Sequence, residues 1–190
     1  MVGKDARLTG LAVCCWALAA GVAAAQSLPL VVDGGCREGL PHGRYELRTA
    51  TGALRVAGAF NHGKRTGSFL FWSASGSRIA HIPYDDDARN GTLATWYEAH
   101  GAGEPPRRFE STWRHGLRDG LTRTWYRDGR RRTEGELVRG AIVATAAWSA
   151  AGARLSEPAA RDAFERDLAA ADADYAELEA MVRAHLPHCD

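Results

Sequence analysis

The sequence predicts a mainly β protein: an elongated antiparallel sheet of stacked β-hairpin repeats, followed by one long C-terminal amphipathic α-helix and preceded by a signal peptide. Three observations carry that expectation. A glycine–aromatic pattern returns about every 24 residues between 43 and 155, apolar residues beyond 160 fall at alternating spacings of four and three, and the first 25 residues read charged, then apolar, then small. The chain has 190 residues, 45% of them hydrophobic and 25% charged, which is the composition of one globular domain and excludes a disordered chain or a polytopic membrane protein.

At the N-terminus, Lys4 and Arg7 precede an apolar stretch from Leu11 to Val22 and a small-residue end, Ala23-Ala24-Ala25, before Gln26. This is the layout of a Sec-type signal peptide cut after Ala25, which directs the chain to the periplasm or the extracellular space. The apolar run falls short of the roughly 20 residues a comfortable membrane span needs. Cleavage removes Cys14 and Cys15 and leaves Cys36 and Cys189. Two cysteines in an exported chain suggest one disulfide, with a pair of unpaired or intermolecular thiols as the other reading. Residues 26–42 form an N-terminal segment outside the repeats.

The repeats align on glycine: Gly43-Arg-Tyr-Glu-Leu-Arg48, Gly67-Ser-Phe-Leu-Phe-Trp72, Gly91-Thr-Leu-Ala-Thr-Trp96 and Gly120-Leu-Thr-Arg-Thr-Trp125, with Ala144-Thr-Ala-Ala-Trp148 as a worn fifth copy. A turn glycine follows each, at 52, 76, 101, 129 and 152, and a second segment then ends on a bulky residue three before another glycine: Phe60 before Gly63, Trp113 before Gly116, Leu137 before Gly140. In the second copy Tyr84 precedes Asp87 instead. Three anchors in one register make chance periodicity a poor explanation. Each copy reads as a hairpin of β-favouring residues with glycine supplying the positive φ of its turns. The expected turn glycines are Gly63, Gly67, Gly91, Gly116, Gly120 and Gly129. Alternation collects the bulky residues on one face, which two strands alone cannot bury, so the copies must stack. The expected repeat core is Phe60, Trp72, Tyr84, Trp96, Trp113, Trp125, Leu137 and Trp148. The longer third copy places an insertion, hence a long loop, around Gly103-Glu-Pro-Pro106.

The junctions Asn61-His-Gly63-Lys-Arg-Thr-Gly67-Ser-Phe-Leu-Phe-Trp72 and Arg114-His-Gly116-Leu-Arg-Asp-Gly120-Leu-Thr-Arg-Thr-Trp125 resemble MORN repeats, in particular the bacterial variant of antitoxin-like proteins. The resemblance covers about residues 43–155. It implies a hairpin-repeat sheet used for protein or lipid contacts, with an antitoxin or immunity role as its sharper form.

From Ser156, a candidate N-cap followed by Glu157 and Pro158, a helix begins. Phe164, Leu168, Ala171, Tyr175, Leu178 and Val182 form a one-sided stripe, and Pro187 ends a helix of about 30 residues, roughly 45 Å. Nine strands about 4.8 Å apart span a similar length. Residues 37–155 carry a net +7 and residues 156–190 a net −6. The acidic helix is therefore expected to lie along the basic sheet, stripe inward, bringing Cys189 to Cys36. The same stripe spacing also suits dimerisation as a coiled coil.

The function expected is that of an exported, non-catalytic scaffold that binds a protein partner. Neighbours in a strand point to opposite faces, so Tyr97 and Tyr126, beside the Trp positions, are the candidate exposed contact row. Ten arginines against five acids between 105 and 140, with Arg107, Arg108, Arg123, Arg127 and Arg131 foremost, suit an acidic partner or anionic lipid heads. They equally suit a solvated strand face or a seat for the acidic helix. A balanced total charge of +1 gives no pull toward nucleic acid. No nucleophile elbow, phosphate loop or paired zinc ligands appear, so neither an enzyme nor a cofactor or metal is expected. His62 and His115 precede turn glycines, and Asp85-Asp86-Asp87 lacks calcium-loop spacing.

Overall fold

The computed structural model describes residues 29–99 and 104–190. The expected signal peptide, 1–25, and the tip of the loop around Gly103 lie outside the described residues. One open antiparallel sheet contains β1 (Leu30–Arg37), β2 (Leu40–Thr49), β3 (Leu54–Asn61), β4 (Lys64–Trp72), β5 (Arg78–Asp85), β6 (Ala88–Arg89), β7 (Gly91–Trp96), β8 (Arg107–Arg114), β9 (Leu117–Trp125), β10 (Arg131–Val138) and β11 (Ala141–Ala147). The strands lie side by side in chain order, with the two-residue β6 extending the pairing of β5 just before β7 takes over. The expectation of nine strands falls short by two, the short β6 and β1, which residues 26–42 contribute and whose connection to β2 at Glu38-Gly39 matches the other junctions.

Two kinds of turn alternate. At one end, Glu38-Gly39, His62-Gly63, Asp86-Asp87, His115-Gly116 and Arg139-Gly140 all have left-handed φ at both positions, the mirror-image turn whose twist matches its strands. Turn geometry accounts for His62 and His115. Here Asp87, at φ 72°, holds a conformation that its neighbours in the series assign to glycine. At the other end Gly52, Gly76, Gly129 and Gly152 each donate an N–H to the carbonyl three residues back. Each return strand then carries one extra residue: Arg55 in β3, Ile79 in β5, Arg108 in β8 and Arg132 in β10. Such bulges re-aim side chains, and they recur here once per repeat.

Beneath the sheet lies α1 (Glu157–Arg183), 27 residues long. Ser156 occupies the N-cap position, but its side chain makes no capping bond. The helix crosses the strands in reverse chain order. Phe164 rests on Gly135 of β10, Asp167 bonds Thr124 of β9 and Thr133 of β10, Tyr175 meets the ring of Phe109 in β8, and Glu179 accepts from Tyr84 in β5. Beyond the helix the His185 carbonyl accepts from Tyr45 of β2, and Pro187 lies against Gly34 of β1. Docking, not dimerisation through the stripe, is what buries these residues. Cys36 and Cys189 form a disulfide with Cα atoms 5.6 Å apart.

The buried face changes character along the sheet. Over β2–β5, Tyr45, Phe60, Phe69 and Tyr84 form a chain of edge-on ring contacts at 5.3–5.5 Å. Over β8–β10 the buried side chains include Ser111, Thr122, Thr124 and Thr133. Buried hydroxyls need partners; Ser111 pairs with Thr122 at 2.6 Å, and Thr124 and Thr133 donate to Asp167 at 2.7 and 3.0 Å.

Charge also attaches the helix to the sheet. Arg132 meets Asp167, Arg118 meets Asp172, Arg108 meets Asp174, and Arg89 meets Glu179, all at 2.7–2.9 Å. Burial pushes the Glu179 carboxyl up, but the Tyr84 hydroxyl and the Arg89 and Arg65 guanidiniums outweigh it and hold the group below its ordinary 4.5. A carboxyl lowered by folding adds stability that is present above the unfolded pKa and lost as pH falls through the folded one. Urea stability should therefore decline below about pH 4.5. Glu179→Gln should lower stability on the order of 2 kcal/mol at pH 7, as loss of a charged hydrogen-bond acceptor does, and flatten the acid decline. Urea titrations of both proteins at pH 7 and 3.5 check this.

Candidate functional site

The tryptophans correct the expected core. Trp113 is buried, as are Phe60, Tyr84 and Leu137, but Trp72, Trp96, Trp125 and Trp148 are only partly so. In β4 the residues under the helix are Phe69 and Phe71, in β7 Leu93 and Thr95, in β9 Thr122 and Thr124, and in β11 Ala147. Each Trp comes one residue later, and alternation sends it to the opposite face.

On that outer face the register pairs Trp72 with Arg78, Trp96 with Arg107, Trp125 with Arg131 and Trp148 with Arg154. Tryptophan and arginine thus alternate along a row that runs across the strands. Arg78 lies 4.4 Å and Arg107 5.5 Å from the Trp96 ring, which stacks between them, and Arg131 lies 5.1 Å from Trp125. Guanidinium stacking of this kind is worth about 0.5–1 kcal/mol at an exposed site and fixes both planes. A second row crosses mid-strand beside the first. Arg107 bonds Glu110, Arg131 bonds Glu134, and Arg123 bridges the two carboxylates, 3.7 Å from Glu110 and 2.9 Å from Glu134. Hydrogen bonding from Arg123 leads the causes that hold the Glu134 carboxyl below its usual range. Leu121, 44% exposed, adds an apolar flank. The result is a surface of aromatic planes with charges held in place, able to make stacking and bidentate contacts without reordering long side chains.

Tyr97 and Tyr126 are corrected too. They are half-buried rather than exposed, and their hydroxyls donate to the carbonyls of Trp125 (2.7 Å) and Trp148 (2.9 Å), so each ties one repeat to the next. Arg108 and Arg127 flank the Tyr97 ring. Tyr97, Arg108, Thr124, Arg132, Asp167 and Asp174 line a groove of about 400 Å³ between sheet and helix.

The ten arginines do not form one basic patch. Arg108, Arg118 and Arg132 bind helix carboxylates, and Arg107, Arg123 and Arg131 bind outer-face glutamates. Arg130 binds Asp128, and Arg127 donates to the Glu98 carbonyl. Sequence reasoning missed Arg78, Glu110, Glu134 and Asp167. A signal existed for two of them, since Arg107/Glu110 and Arg131/Glu134 repeat one i, i+3 spacing at equivalent positions. Among the described residues no group of three or more His, Cys, Asp or Glu is placed to hold a metal ion.

No family model matches the chain, and no curated protein matches it.

Proposed function

We propose that this is an exported, non-catalytic repeat scaffold that binds a protein partner through the outer face of its sheet, in the periplasm or outside the cell. The observation that supports this most is the alternating Trp–Arg row from Trp72 to Arg154. Four part-exposed tryptophans in line, interleaved with arginines, have the composition of an interface centre, where Trp and Arg are enriched. A structural disulfide is consistent with an oxidising compartment. An antitoxin or immunity-like role is the sharper form of the same reading and rests on the resemblance to MORN-type antitoxin-like proteins. Anionic-lipid binding through Arg107–Arg139 is the alternative; the pairing of most of those arginines with acids weighs against it.

The test captures partners from envelope extract with residues 26–190 and with Trp96→Ala/Trp125→Ala, followed by mass spectrometry. One stoichiometric protein retained at moderate salt by the first, and reduced at least about tenfold by the second, is expected of a hot-spot pair. Equal recovery by both would remove the outer face from the reading. Salt-sensitive binding to anionic vesicles with no protein recovered would transfer it to lipid.

A further inference from the structure

Each repeat consists of an outgoing strand and a return strand, and the fifth lacks its return. The chain leaves β11, turns at Gly152, and begins the return as the others do: Trp148 bridges Arg154 as Trp125 pairs with Arg131, and the Leu155 N–H donates to the Ala147 carbonyl at 2.9 Å. At Ser156 it departs into the helix. The remainder of β11 therefore has, on the side away from β10, no strand beside it among the described residues. Trp148 and Ala146 direct their backbone groups to β10, through Arg132 and Glu134, so the backbone groups of Thr145 point outward. Alongside lies a groove of about 490 Å³ whose lining includes Val143, Thr145, Arg154, Leu155, Glu157 and Arg161.

Three features specify the occupant. β11 reads Ala-Ile-Val-Ala-Thr-Ala-Ala, with none of the charges that guard natural edges. The opposite edge, β1, carries Asp33 and Arg37 and is bonded to the tail at Cys36. The third feature is an unanswered charge. Arg107 and Arg131 each meet a glutamate three residues on, in their own return strands, whereas Arg154 is exposed and makes no ion pair among the described residues, the glutamate three residues on, Glu157, standing in the first turn of α1 instead of in a return strand. Pairing two β11 strands antiparallel would bring the Arg139 turn of each copy toward the Arg154 end of the other, like charge against like.

We propose that the vacant place beside β11 receives an extended segment of a partner protein, running antiparallel to β11, with an acidic residue on the outer face opposite Arg154 and small or apolar residues facing inward. This is strand addition, in which backbone pairing gives affinity and the acid gives register. It concerns the edge of β11 and shares only Arg154 with the Trp–Arg row; Thr145→Pro leaves the row untouched and Trp96→Ala/Trp125→Ala leaves the edge untouched, so failure of one reading is distinguishable from failure of the other.

The probe is a labelled synthetic peptide carrying residues 133–138, the preceding return strand, with its glutamates, and a second peptide with glutamine in place of Glu134. Binding to the full chain is followed by fluorescence anisotropy up to about 1 mM peptide, and its position by amide exchange. Saturable binding of the first peptide is expected, weakened at least about fivefold in the second and by Arg154→Glu, with protection gained at Thr145. Thr145→Pro removes an outward N–H without touching the β10 pairing, so it should abolish binding while leaving thermal stability within about 2 °C. No saturation, binding indifferent to Thr145→Pro, or a dimer of the free chain that Thr145→Pro dissociates would each overturn the proposal.

Discussion

Replacing Cys36 and Cys189 together by serine should lower unfolding free energy by about 4–5 kcal/mol and Tm by roughly 10–15 °C. The bond joins residues 153 apart and so closes nearly the whole described chain into a ring. In the loop-entropy account the effect grows with ring size. The loss should be concentrated where the bond acts. β1 is an edge strand whose outer neighbour among the described residues is the tail, and Tyr45 holds that tail through the His185 carbonyl. Amide exchange in β1 and in residues 184–190 should accelerate before that of β7–β9. Calorimetry and exchange on the reduced wild-type protein provide the same test without substitution, and a reduced protein that melts with the oxidised one would deny the bond any structural role.

Phe164→Ala is expected to be nearly as damaging, at about 3–5 kcal/mol. Its ring sits on the backbone of Gly135, where an added Cβ would stand 2.4 Å from the ring. Gly135→Ala should therefore destabilise strongly in the wild-type protein and become nearly harmless once Phe164 is alanine, a coupling that a double-mutant cycle in urea measures directly. Additive losses would mean that the ring and the glycine do not meet. Gly58 makes the same provision for Phe69 on the other half of the sheet, with a Cβ 2.7 Å from that ring. Both glycines fall at the same station of a return strand, where a side chain would displace an aromatic.

The glycine register and the apolar helix stripe carried most of the architecture in the sequence. Period, hairpin order, the helix and its position over the sheet follow from local pattern, because turn conformations and alternation are decided within a few residues. Which face each aromatic takes was not legible. The Trp positions are the most regular feature of the repeats, and regularity reads as core; yet Phe71 precedes Trp72 and Thr95 precedes Trp96, and only one of two neighbours can lie under the helix. The choice depends on where α1 docks. Thr122, Thr124 and Thr133 look like surface residues in the sequence and are buried only because Ser111 and Asp167, from β8 and α1, come to meet them. For the candidate site, the arginines stood out by number, but their division between two faces was settled by bulges at Arg108 and Arg132 that no composition reveals. β1 was overlooked because Gly34, Gly35 and Asp33 are poor strand formers, and pairing with β2 supplies what propensity does not.

The helix that crosses every repeat also acts as a ruler. Its 27 residues, and the short tail to Cys189, match the width of this sheet from β10 to β1. Gain of one hairpin would widen the sheet by two strand spacings, about 9.6 Å. Only a helix longer by about six or seven residues would still reach from the last repeat to the disulfide. Repeat arrays commonly grow or shrink by one unit at little cost, since each unit touches only its neighbours. Here the length of the array is read out by an element that touches all of them, so a change in copy number has to be accompanied by a change of two helical turns elsewhere in the gene.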